Sequence, residues 1–241
     1  MCMKLRMLSL ITLIAIGVIL MTGCTGGGQK NSAFLSTPTP TGSTPTPSIP
    51  ANMEEYNENL KQLWFSAGQQ DKALSSVPEI DNSAVLVNGL TITKRTIEHQ
   101  KNMQPIFYTK SLKDEIVQIV RQKVQNSEAI KQGIKPSQDD VDAYLKQEAD
   151  SLNNQDPGME NILSYIAGMG ITIDEYEQSQ QQPIYDLYQR DALLKTLPTG
   201  TDTNKYVDGL VEKADIQILD PAVQVLFGGS QAMTSPPPAS N

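Results

Sequence analysis

Of the 241 residues, a body of roughly 175 between low-complexity ends suits one domain, and 27 acidic against 19 basic residues give a formal net charge of −8. That balance excludes a protein built to bind nucleic acid or to lie flat on anionic lipid, since both need basic surface. Two cysteines and a single histidine are too few for a zinc centre, and they leave a serine or cysteine nucleophile without a usable base.

The first segment carries Lys4 and Arg6, then an apolar run from Met7 to Met21, then Met21-Thr22-Gly23-Cys24. A positive start, a short apolar core and small residues before a cut are the features of a secretory signal. The run is shorter than the ~20 apolar residues that ~30 Å of hydrocarbon demands, so removal is expected over residues 1–23 rather than retention as a span. Cysteine directly after the small residues points to a lipoprotein signal, in which Cys24 is alkylated by a diacylglyceryl group and becomes the new N-terminus. Met21 stands where such signals usually carry leucine, with Leu20 one position further out. Acyl chains such as palmitate contribute roughly 0.8 kcal/mol per buried CH₂, so two or three would anchor the chain durably to a membrane.

Cys2 leaves with the signal, which strips the mature chain of any internal disulfide and makes packing its only source of stability. Loss of Lys4 and Arg6 takes the basic residues from 19 to 17 against 27 acidic, a net charge of −10.

Residues 24–50 are rich in Gly, Ser, Thr and Pro, with Thr37-Pro38-Thr39-Pro40 followed closely by Thr44-Pro45-Thr46-Pro47. They read as a disordered, semi-rigid stalk that lifts the folded part from the membrane. Over 51–78 an amphipathic helix is predicted, because Met53, Tyr56, Leu60, Leu63, Trp64 and Ala67 recur at helical spacing. Trp64 is read as core. Ala84–Val87, Asn88-Gly89 and Leu90–Thr93 form the strongest short-range hairpin signal in the chain. A helix is expected from Lys94, and another from Ser111 toward Gly133 with Leu112, Ile116, Ile119, Val120, Val124 and Ile130 facing inward.

Ser137 is the expected cap of a helix with Val141, Tyr144, Leu145, Ala149 and Leu152 inside. After Asp156-Pro157-Gly158 comes a short helix carrying Met159, Ile162, Leu163 and Ile166. Thr172 and Glu175 form a capping box that opens a long helix to about Leu197, with a kink or break expected at Pro183. A last helix holds Tyr206, Val207, Leu210, Val211 and Ala214. Ile216 to Leu219 then makes a strand, halted by Asp220-Pro221 and expected to pair with the hairpin. Residues 223–241, including Pro236-Pro237-Pro238, read as a disordered tail. The fold class is mainly α with a small β hairpin and strand.

Val87-Asn88-Gly89 with Ile92-Thr93, Glu128-Ala129, Gly133-Ile134-Lys135-Pro136-Ser137 with Asp140-Val141, and the run from Gly170 to Tyr176 stand in an order and spacing that resembles the N-terminal helical domain of the SurA and PrsA foldases. The likeness covers Ser83 to about Leu197, and Tyr206 to Pro221 resembles the returning helix and strand that close the same domain, so 79–222 is read as that unit. The resemblance implies an extracytoplasmic chaperone whose partners are unfolded or nascent exported polypeptides, with no cofactor and no small-molecule substrate. Many members insert a parvulin prolyl isomerase before the returning segment. Here only Thr196 to Lys205 occupies that place, far short of the ~50 residues of a folded domain.

Parvulin-type sites use paired histidines, and His99 stands alone within Ile97-Glu98-His99-Gln100-Lys101, where it reads as a solvated helix flank. Asp139, Asp140 and Asp142 lack the glycine and closing glutamate of a calcium loop and suit the negative first turn of a helix. Gly26-Gly27-Gly28 belongs to the stalk rather than to a phosphate loop. What remains for function is surface. Met103, Phe107, Tyr108, Tyr165 and Met169 are the candidate client-binding side chains, and core positions are the competing reading of all five. The expectation is a non-catalytic foldase-like lipoprotein on the outer face of a cell membrane, of Gram-positive type by its Thr/Pro stalk. The alternatives are a scaffold lipoprotein docking one partner and a relative of prolyl isomerases by family only.

Overall fold

The computed structural model describes residues 53–107 and 110–227. The signal with Cys24, the stalk, Tyr108 and the tail from residue 228 lie outside the described residues. Within them, eight helices and a small antiparallel sheet follow one another: α1 (Met53–Leu74), β1 (Ser83–Val87), β2 (Leu90–Thr93), α2 (Lys94–Met103), α3 (Leu112–Lys131), α4 (Gln138–Asn153), α5 (Glu160–Met169), α6 (Ile173–Lys195), α7 (Thr203–Lys213), β3 (Ile216–Ile218) and α8 (Pro221–Leu226). The chain is therefore mainly helical with a small β element.

Asn88 and Gly89 turn the hairpin with φ of 51° and 83°, the left-handed pair that a two-residue turn between twisted strands requires. Val87 faces Leu90 across it, and β3 pairs antiparallel with the other edge of β1, placing Val85 opposite Ile218 and Val87 opposite Ile216. The sheet order is β2-β1-β3. Asn88 also ties the turn to β3, since its backbone N–H donates to the Asp215 carbonyl and its Oδ1 accepts from the Asp215 N–H, both at 2.8 Å. One side chain thus closes a contact across more than a hundred residues of chain.

The main core lies between this sheet and α3, α7 and α8, where Val85, Val87, Ile92, Ile116, Val120 and Val211 are sealed from solvent. Helix α3 is the central element, and it is buried on more than one side. Ile116, Val120 and Val124 face the sheet, while Arg121 reaches Asp208 on α7 at 2.5 Å and Asn126 turns toward α6. Ile130, expected inside, is exposed, and Ala129 is the buried residue of that turn. A helix wrapped by several neighbours offers no single stripe, so the 3.6-residue rule misplaces its last position.

Two local stop signals behave differently from expectation. Pro183 lies inside α6, which runs through it without interruption. The proline is exposed, so the carbonyl of Ser179 that loses its donor faces water. At the other end, Asp220 and Pro221 do not merely halt β3 but open α8, with Asp220 accepting from the Ala222 N–H and Pro221 in the first turn, where proline is pre-organised. Val223, placed beyond the expected end of the domain, is buried in the main core.

Helix α1 also packs into this body. Gly68 of α1 and Gly168 of α5 bring the two backbones together so closely that a Cβ on Gly68 would sit 2.2 Å from the Tyr165 carbonyl oxygen, and one on Gly168 would sit 2.1 Å from that of Phe65. Glycine is required at both positions by this approach.

Candidate functional site

Along α1 the spacing Leu60, Trp64, Ala67, Asp71, Leu74 steps by four and three, so all five fall on one face. The upper part of that face builds a satellite cluster with the end of α2 and the turn after it. Ala67, Met103 and Ile106 are buried, with Leu60, Trp64 and Tyr165 packed around them. The Met103 carbonyl accepts from the N–H of Ile106 and of Phe107, which curls the chain back so that both side chains meet α1. Trp64 is the centre. It makes edge-to-face contacts with Phe107 at 5.9 Å and with Tyr165 at 6.3 Å, the arrangement aromatic quadrupoles favour. Phe107 nonetheless remains 39 % exposed, and Tyr56 and Leu63 on α1 are equally open.

Asp71, one turn further along the same face, is 6 % exposed. Its Oδ2 lies 2.5 Å from His99 Nδ1 and accepts from the Tyr165 hydroxyl at 2.5 Å, while Oδ1 accepts from the Asn102 amide at 2.7 Å. Burial pushes this carboxyl upward, but the hydrogen bonds and charge it meets at His99, with those from Tyr165 and Asn102, outweigh burial and hold it below the usual carboxylate range. Burial and the Asp71 bond together drive the Tyr165 hydroxyl far above the usual phenol range, so it stays a donor. The network joins α1, α2 and α5 beneath the aromatic cluster and fixes the Tyr165 ring against Trp64.

His99 is therefore not a free flank residue: although partly exposed, it is held by a buried acid. An Asp–His pair is an arrangement able to orient a general base. Among the described residues, however, no serine, threonine or cysteine side chain hydrogen-bonds to His99, and the Tyr165 proton is spent on Asp71. What the geometry provides is a clamp. No group of three or more His, Cys, Asp or Glu side chains among the described residues is placed to hold a metal, and none of the described helices is long and apolar enough to cross a membrane.

Of the five side chains nominated from sequence, three meet at one place. Phe107 lies at the exposed rim, Tyr165 is half-buried with its hydroxyl committed to Asp71, and Met103 is buried beneath them as core. Met169 is half-buried at the end of α5, next to the Gly68 crossing. Trp64, assigned to the core, organises the cluster. Asp71 was missed, although the signal was available: an acid on the apolar stripe of an amphipathic helix is either misplaced or partnered. The same signal recurs on α4, where Glu148 continues the Val141, Tyr144, Leu152 stripe and is buried.

No protein-family model, no curated protein and no solved structure matches this chain.

Proposed function

We propose that the chain is a non-catalytic, membrane-anchored chaperone that holds unfolded exported polypeptides on the aromatic surface formed by α1, α2 and α5, tethered by lipid on Cys24. The observation that carries this reading is the open edge of the Trp64 cluster. Phe107 is exposed at that edge and Tyr56 and Leu63 are exposed further along α1, while a hydrogen-bonded network under the cluster keeps the helices in place. Half-buried Met169 adds an adaptable side chain at the end of α5, suited to re-packing around varied sequences. A stalk of Thr and Pro gives the surface reach, and the acidic balance of the chain keeps it off an anionic membrane.

The test is aggregation of a chemically denatured model client in the presence of the purified chain. Suppression at near-stoichiometric ratios is expected. A Phe107→Ser, Leu63→Ser double substitution should remove most of it; both side chains are about three-fifths buried, so the pair should also cost roughly 2–4 kcal/mol, and the assay is read at a temperature where circular dichroism shows the variant folded. Absence of suppression at stoichiometric excess overturns the reading. Recovery of one stoichiometric envelope partner would instead assign a scaffold role, and prolyl-peptide isomerisation above background would assign an enzyme.

A further inference from the structure

A second polar cluster lies where α6 meets α4. Helix α6 is held differently on the two sides of Pro183. Its C-terminal half is locked to α3 by well-partnered polar contacts: the Asn126 amide donates to the Asp186 carbonyl at 2.9 Å and to Gln189 Oε1 at 3.1 Å, Arg190 donates to Asn126 Oδ1 at 3.0 Å, and Lys123 pairs with Asp186 at 3.0 Å.

The N-terminal half has no such lock. There both carboxylate oxygens of Glu177 are buried without a hydrogen-bond partner, and Glu148 of α4, the acid that acts on Glu177 across the seam, is itself only 8 % exposed. The other charged group acting on Glu177 is Asp174 of its own helix, again acidic. Tyr144 of α4 and Tyr176 of α6 complete the surroundings, and each feels both glutamates. Lys123 of α3 and Arg190 of α6 are engaged beyond Pro183 with Asp186 and Asn126. With both Glu177 oxygens buried and unpartnered and only acids among the charged groups acting on them, burial and like-charge repulsion disfavour the ionised form, so the closed arrangement favours a proton on Glu177.

We infer that Glu148 and Glu177 form a proton-operated latch, in which a proton on Glu177 keeps the N-terminal half of α6 closed on α4 and its loss lets that half swing about Pro183. The hinge position follows from the backbone, since Pro183 donates no hydrogen bond to the preceding turn and cannot stiffen it. Opening uncovers the cluster of Leu152, Ile162 and Ile166, against which Tyr176 and Ile173 pack. Burial, with the neighbouring Glu148 and Asp174 charges, raises the Glu177 carboxyl to about 7, which puts the transition in the neutral range. The latch does not depend on the client-binding reading, because its two acids stand on α4 and α6, neither of which contributes to the Trp64 cluster.

Hydrogen exchange of the full chain, corrected for the intrinsic pH dependence of exchange, tests it. A carboxyl that binds its proton more tightly closed than open makes opening about tenfold more favourable at pH 8 than at pH 6, so amides of residues 173–182 should exchange about tenfold faster, while those of 184–195 stay unchanged. Glu177→Gln, which keeps the neutral shape, should abolish the pH response and hold the segment closed at pH 8. Glu148→Gln should shift the Glu177 carboxyl titration, read by carbon-13 NMR, to lower pH. Binding of a hydrophobic dye should rise from pH 6 to pH 8 in the wild-type chain and not in Glu177→Gln. Equal exchange of residues 173–182 at the two pH values overturns the latch, as does a pH response that survives Glu177→Gln.

Discussion

At Asp71 a buried carboxylate meets polar groups of three side chains from two other helices, and the junction of α1, α2 and α5 depends on it. Replacing it with asparagine keeps the shape but removes the charge and turns one acceptor into a donor facing His99 or Tyr165. A loss of about 1–3 kcal/mol is expected, the usual cost of leaving buried hydrogen-bonding groups unsatisfied. Urea unfolding followed by the fluorescence of Trp64, the only tryptophan, measures it directly. The sign of the pH effect follows from the depressed carboxyl of the folded state. Its contribution is complete above the ordinary carboxylate range and is lost as pH falls through the folded value, so Asp71→Asn should lack that part of the acid-induced fall. The apolar stripe of α1 was legible in the spacing of its residues. That Asp71 belonged to the stripe was legible as well, but its partners were not, because His99, Asn102 and Tyr165 come from parts of the chain 28, 31 and 94 positions away.

Between elements, the tightest constraint is the crossing of α1 and α5. A methyl group on Gly68 would strike the carbonyl of Tyr165, a backbone atom that cannot rotate aside. Gly68→Ala should therefore cost about 1–3 kcal/mol or more through overpacking and should disturb the Trp64 environment. Gly209, inside α7 with nothing near its missing Cβ, is the matched control. Gly209→Ala should be neutral or stabilise by up to about 1 kcal/mol, since alanine removes the entropic penalty of glycine in a helix. The two denaturation midpoints, compared side by side, separate a packing requirement from a helix propensity. Helix starts were readable from sequence because caps are local. Ser111, Ser137 and Thr172 each accept from the backbone three residues on, and the boxes at Ser111 and Thr172 are reciprocal. The passage of α6 through Pro183 was not readable, since what permits it is the exposure of that side of the helix.

For the whole molecule, the buried Asp71 carboxyl and the partly buried Glu177 carboxyl pull stability in opposite directions with pH. Glu177, raised in the folded state to about 7, binds its proton more tightly folded than unfolded. Its contribution is complete below its unfolded value and is lost as pH rises to about 7, whereas that of Asp71 is lost in stronger acid. Unfolding free energies from urea titration should thus be highest near pH 4.5 and lower by about 1–2 kcal/mol at pH 8, a figure reduced for the partial exposure of Glu177. Glu177→Gln should flatten the neutral part of that profile. A chain whose midpoint rises steadily from pH 4.5 to pH 8 would contradict this balance.

Sequence alone determined the helical class, the Asn88-Gly89 hairpin and the order of the caps, because periodicity, turn geometry and capping are set by residues within four positions of one another. It also located the aromatic residues at the end of α2 and on α5 as a surface of interest. Only the tertiary structure decided that Trp64 joins Phe107 and Tyr165, that His99 answers to Asp71, and that the Glu177 carboxylate is buried without a hydrogen-bond partner within the influence of Glu148. Burial and partnership of charged groups are properties of distant segments brought into contact, and no local pattern encodes which segments those are.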